Sequence, residues 1–287
     1  MVLRFKLFKI IILAFLVYNY SGIILAQQKL HIVTSSTPIA AIVKAIVQDL
    51  AEVESLEFGQ NSCSHGYQFK PSDIYKIQSA DLIIYIDDRF EHYMTKLSTF
   101  CQSQVIKLSG IEGISLINNG IRNNWHIWYD IDNIKLISLE LYKILTNKLD
   151  HYLKQDLFKS YQEFIVQLNV IQEKKNDLFK NFFRDIIVLD SAIEYFFNCN
   201  KAKVIKVPIN CHRGIILSTI QKIRSLSKKK SLCVILGQQE NIKNLNALFN
   251  DKIKVIRLDR EAWNKNIDSK LLLSNLNTVI VQLHDCL

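Results

Sequence analysis

The sequence predicts an α/β protein of two lobes joined by one long helix. Three observations carry that prediction. Apolar strand-like runs alternate with amphipathic helical stretches over 29–109, an unbroken helical stripe follows over 151–182, and the alternation restarts at 184. Alternating strands and helices imply mostly parallel sheets with helices on their faces. A chain of 287 residues, 49% apolar and 22% charged with eight Gly and three Pro, is too apolar for disorder and long enough for two cores.

The first 26 residues stand apart. MVLRFKLFK is basic, IIILAFLV is apolar, and Ala26 closes a small-residue cleavage site before Gln27. This is signal-peptide anatomy, with an uncleaved anchor as the alternative. Asn19, Ser21 and Gly22 break the apolar part, which leaves it short for a span of about 20 residues. Residues 27–287 would then occupy an exported compartment, most simply a periplasm.

KLHIVTSS (29–36) reads as a buried strand and PIAAIVKAIVQDLAEV (38–53) as a helix, with VESLEFG a second strand. PSDIYKIQSA (71–80) starts a helix at Pro71, where a missing N–H costs nothing. DLIIYID (81–87) is a strand, RFEHYMTKLSTF (89–100) a helix and QVIKLS (104–109) a strand. Residues 133–149 form a further amphipathic helix.

In the stretch 151–182, Leu157, Tyr161, Phe164, Leu168, Ile171 and Leu178 keep helical spacing with no Gly or Pro between them. About thirty residues at 1.5 Å each span about 45 Å, enough to cross the whole molecule. Beyond it come strand-like RDIIVLD (184–190), IEYFFN (193–198), KVIKVP (203–208), SLCVIL (231–236) and KVIRLD (254–259). Helices are expected at 214–226, 241–249 and 268–283. The domain reading is a signal peptide at 1–26, a first lobe at 27–150, a linking helix at 151–182 and a second lobe at 183–287.

Several function classes are excluded. The eight Gly build no phosphate-cradling loop, and no serine-hydrolase or paired-His protease motif is present. Net charge is +9, and without residues 1–26 the 33 basic residues face 27 acidic ones, a balance of +6. That mild excess has no aromatics interleaved, as nucleic-acid binding would need. The six Cys form no C-x-x-C, and an even count in an oxidising space favours disulfides.

Two of the seven His stand out. His65 lies in SCSHGYQFKPSD, a loop before the Pro71 helix, and His126 lies in NNWHIWYDIDN, bracketed by Trp125 and Trp128. Both occupy strand-to-helix crossings, where open α/β sheets gather ligands. His31, His92, His151, His212 and His284 read as packed or solvated imidazoles.

HGYQFKPSDIYKIQSADLIIYID (65–87) and HIWYDIDN (126–133) resemble the two first-lobe motifs of the periplasmic solute-binding proteins that serve zinc and manganese ABC importers. The resemblance spans 29–287 and is weakest in the C-terminal half. It implies a metal site in the interlobe cleft, no catalysis, and delivery of the metal to a membrane permease with its cytoplasmic ATPase. It places His65 and His126 as first-lobe ligands. Asp190, in IVLDSAIEYF, stands where the third ligand belongs, and Asp259, in KVIRLDREAW, where the fourth does. For each Asp the alternative is a turn cap or N-cap. Two imidazoles and two carboxylates suit Zn²⁺, and also Mn²⁺ or Fe²⁺. The family's His-rich loop is missing from 110–125, which leaves the metal open, and an adhesin-like or degenerate member is a further alternative. The resemblance also pairs Cys233 with Cys286. Cys63 is either a thiolate ligand or a partner of Cys101, with Cys199 and Cys211 a second pair.

Overall fold

The computed structural model describes residues 29–56, 70–118, 123–180, 182–197, 204–206, 217–237, 252–258, 263 and 266–287. The N-terminal 26 residues, the loop that carries His65, and the expected helix at 241–249 lie outside these. Among the described residues no helix is long and apolar enough to cross a membrane.

The first sheet contains β1 (Leu30–Thr34), β2 (Ala51–Ser55), β3 (Leu82–Tyr85) and β4 (Gln104–Lys107), all parallel in the order β2-β1-β3-β4. Helix α1 (Thr37–Val47) carries Pro38 in its first turn and is buried along nearly its whole length. It ends at Gln48, whose φ of 46° turns the chain directly into β2. The expected helix over 38–53 is therefore shorter, because that turn releases Ala51–Ser55 to pair with β1. Helix α2 is Pro71–Ser79, where Asp73 accepts the Lys70 backbone N–H at 2.6 Å.

The helix expected over 89–100 shrinks to α3 (Met94–Leu97) followed by one 3₁₀ turn. The cause lies upstream, where Asp87 and Glu91 side chains capture backbone N–H groups of residues 86, 87 and 89 and hold a turn there. A two-residue hairpin, β5 (Ile117–Asn118) with β6 (Asn123–Asn124), precedes helix α4 (Ile131–Lys148). Asp130 caps α4, accepting from Asp132 N and Asn133 N.

The long helix α5 runs Lys154–Lys180 after a 3₁₀ turn at His151–Leu153. It packs against α1 and α4 on the first side and against the last helix, α7 (Leu271–His284), on the other. Its buried face is Leu157, Ser160, Phe164, Leu168, Ile171, Lys175, Leu178 and Phe179. Helix α6 is Leu217–Ser227. The second sheet holds β7 (Asp185–Val188), β8 (Val204–Lys206), β9 (Leu232–Gly237) and β10 (Ile253–Leu258), parallel in the order β10-β9-β7-β8. Where the sequence reads a strand over 193–198, residues Ser191–Phe197 form a 3₁₀ helix instead. Their apolar side chains are buried against the rest of the core without joining the sheet.

Both sheets reverse their winding direction in the middle, between β1 and β3 in the first and between β7 and β9 in the second. Ligand crevices open at the carboxyl ends of such strands. Cys233 of β9 is bonded to Cys286 beyond α7, with Cα atoms 5.8 Å apart. That pairing is the one the family resemblance implied. Cys101 Sγ contacts Ser103 O at 3.9 Å; Cys63, Cys199 and Cys211 lie outside the described residues.

Candidate metal centre

His126 and Asp190 are the two expected ligands among the described residues; His65 and Asp259 lie outside them. His126 sits on the turn between β6 and α4, half-buried, with its imidazole edge-on to Phe90 at 5.7 Å and Trp128 at 5.1 Å between ring centroids. Phe90 follows the carboxyl end of β3, so the imidazole lies at the crevice side of the first sheet. Arg89 covers the neighbouring Trp125 ring at 4.7 Å. This aromatic enclosure limits how the imidazole can turn.

Its polar contacts limit it further. Asn124 Oδ1 accepts the His126 backbone N–H at 3.1 Å and faces His126 Nδ1 at 2.8 Å. Asn124 Nδ2 donates to Glu194 Oε2 at 3.1 Å. An amide oxygen accepts only, so Nδ1 carries the proton, and in the neutral ring the lone pair lies on Nε2. Tyr195 Oη donates to Asn124 O at 2.6 Å and accepts from Ile117 N at 3.0 Å. Burial pushes the Tyr195 phenol up to about 12, which keeps it a neutral donor.

Asp190 stands just past β7, at the reversal point of the second sheet, and is 4% exposed. Its Oδ1 accepts the Ala192 N–H at 2.9 Å, the turn-capping contact named as its alternative role. It also lines a small cavity with Tyr129, Ala192, Ile193, Leu258, Trp263, Asn275, Thr278, Val279 and Gln282. Tyr129 comes from the turn of His126, so the neighbourhoods of both expected ligands meet at this seam. Among the described residues no three His, Cys, Asp or Glu side chains gather as a metal shell.

Behind the seam, Asp130 is held by its two backbone donors, and burial raises its carboxyl against their pull and that of the Lys175 charge. Lys175, itself 5% exposed, reaches in from α5 with Nζ 5.0 Å above the Phe196 ring. His31 is a packed imidazole, with Nδ1 3.1 Å from Ser79 O. Asn124, Glu194, Tyr129 and Trp263 escaped the sequence reading. Polar and aromatic residues at these positions form no spacing motif, and only the tertiary fold brings them together.

Two parallel-sheet lobes on one strut helix, with a held imidazole at the seam, define a two-lobed α/β protein with a candidate metal-binding seam. Residues 32–281 match the family "Zinc-uptake complex component A periplasmic", and the chain belongs to that family. The uncharacterized protein RP014 of Rickettsia prowazekii is 33% identical over 261 residues, 90% of this chain and 84% of its own length. The high-affinity zinc uptake system protein ZnuA of Haemophilus ducreyi is 27% identical over 182 residues, 50% of this chain and 58% of its own length. Among solved structures, the metal-dependent lipoprotein YcdH of Bacillus subtilis has a TM-score of 0.70 at 20% identity, over 88% of this chain and 99% of that one. A zinc-bound ZnuA deletion mutant has a TM-score of 0.71 at 18% identity, over 90% and 97%. Those two structural likenesses concern the fold.

Proposed function

We propose that this protein captures a divalent transition metal, zinc first, and hands it to an ABC importer, a permease with its cytoplasmic ATPase. His65 and His126 bind from the first lobe (27–150), Asp190 and Asp259 from the second (183–287), with 151–182 as the linking helix. The protein works as a monomer in the periplasm after removal of residues 1–26, and no catalysis is needed. The observation that carries this reading is the His126 imidazole, whose Nδ1 faces Asn124 Oδ1 so that Nε2 presents the lone pair. A metal-binding His commonly has its second nitrogen held in this way. Family membership and the zinc named for the Haemophilus ducreyi relative support the choice of metal.

Mn²⁺ or Fe²⁺ is the second reading, favoured by a carboxylate at 190 in place of a third imidazole. Residues 27–287, stripped with chelator, should take up one Zn²⁺ per chain and unfold at a higher temperature with it, since a ligand that binds only the native state stabilises it. No heat and no thermal shift with Zn²⁺, Mn²⁺ or Fe²⁺ would refute metal capture.

A further inference from the structure

We infer that Glu194 and Asn124 are positioning residues for His126, and that Glu194 acts across the lobes. The Glu194 carboxylate, 5% exposed, accepts from Asn124 Nδ2 at 3.1 Å. An amide that donates through its nitrogen must turn its oxygen the other way, and that oxygen meets both His126 N and His126 Nδ1. The carboxylate thus sets the amide, the amide sets the tautomer, and the tautomer decides which ring nitrogen offers a lone pair.

Glu194 lies on the 3₁₀ helix that begins at Ser191, directly after Asp190. Its neighbour Tyr195 grips the Asn124 carbonyl, so two adjacent second-lobe side chains hold one first-lobe residue. The imidazole of one lobe is therefore aimed by the other. A shift of the 191–197 helix would move the Asp190 carboxylate and the His126 ring together. The inference deepens the metal-capture reading and rests on it for the word ligand; the control of the tautomer does not.

Nitrogen-15 imidazole NMR on the metal-free chain tests this, with the His126 signals assigned by His126→Gln. The parent should show a protonated Nδ1 and a bare Nε2 at His126. Glu194→Ala should shift those signals towards a mixture of tautomers and weaken Zn²⁺ binding about ten- to a hundredfold, the usual effect of losing a group that orients a metal ligand. Asn124→Asp alone sets two carboxylates against each other and should weaken Zn²⁺ binding. Adding Glu194→Gln to it swaps the two groups and should restore both the signature and the affinity, which a merely structural role would not do. An unmoved His126 signature in Glu194→Ala, or no rescue in the double variant, overturns the proposal. Moved signals in a chain whose parent takes up no Zn²⁺ would uphold the relay and remove the metal reading.

Discussion

Trp263 donates its indole N–H to the Tyr129 hydroxyl at 3.1 Å, with the two rings edge-on at 6.2 Å between centroids. Tyr129 stands three residues after His126 and Trp263 four residues after Asp259, so this buried contact ties the segments of two expected ligands from opposite lobes.

Tyr129→Phe should therefore cost more than a hydroxyl usually does. It removes the acceptor of a buried indole N–H, a loss worth about 1–3 kcal/mol. Urea unfolding of the metal-free protein measures it. Equal midpoints for variant and parent would show that the contact carries no stability.

Asp190 has two roles to separate. Asp190→Asn keeps an oxygen for the Ala192 N–H, and so preserves the turn. It weakens a metal ligand by removing its charge. If Asp190 binds metal, Zn²⁺ affinity should fall at least about tenfold, or about 1.4 kcal/mol, with the melting temperature of the metal-free chain little changed. Asp190→His should raise preference for Zn²⁺ over Mn²⁺. Unchanged affinity in both variants would leave Asp190 as a cap alone.

Glu91 is wholly buried, accepting from Ile86 N at 2.6 Å and Asp87 N at 3.3 Å. Burial pushes its carboxyl from the usual 4.5 up to about 7, against the pull of the Ser35 hydroxyl and those two N–H groups. The folded chain thus holds this proton more tightly than the unfolded one. Its contribution to stability is complete below about 4.5 and is lost as pH rises towards about 7, each unit of separation being worth about 1.4 kcal/mol. Asp87 behaves oppositely. Burial raises it, but hydrogen bonds from the Arg89 and Ser109 side chains and the Arg89 N–H prevail and hold it at about 2, so its stabilisation fades only as pH falls below 3.8. Denaturation series from pH 4 to 8 should show Glu91→Gln flattening the upper window; a slope equal to the parent's would contradict this.

The Cys233–Cys286 bond closes a loop with a sequence separation of 53. Replacing both by Ala should cost about 2–5 kcal/mol, and a reductant should lower the parent's unfolding midpoint but not the variant's. A parent insensitive to reductant would mean the bond adds nothing to stability.

The strut and strands such as β1, β3, β7 and β9 were legible in the sequence because each of those strands is a short apolar run with charged or polar bounds, whereas β2 (AEVES) and the short β5–β6 hairpin carry no such run. What failed was local competition. Residues 193–198 are as apolar as a strand, and short apolar runs do not reveal their geometry by period alone. The gap of seven residues between Ile171 and Leu178 in the helical stripe hid Lys175, which the fold buries over an aromatic ring. A lysine reads as solvent-facing until Phe196 and Asp130 are seen around it. His126 and Asp190 could be named as candidates from the sequence, whereas Asn124 and Glu194 could not, since 70 residues separate a pair that shares one hydrogen bond.

The strut helix has a bearing on recognition. A single helix of 27 residues, about 40 Å long, is packed on helices of both lobes, so any hinge between them has to bend or repack it. Filled and empty forms should then have almost the same hydrodynamic radius. If the chain hands metal to an importer as proposed, that partner would have to read the filled form from side chains at the rim of the cleft rather than from overall shape.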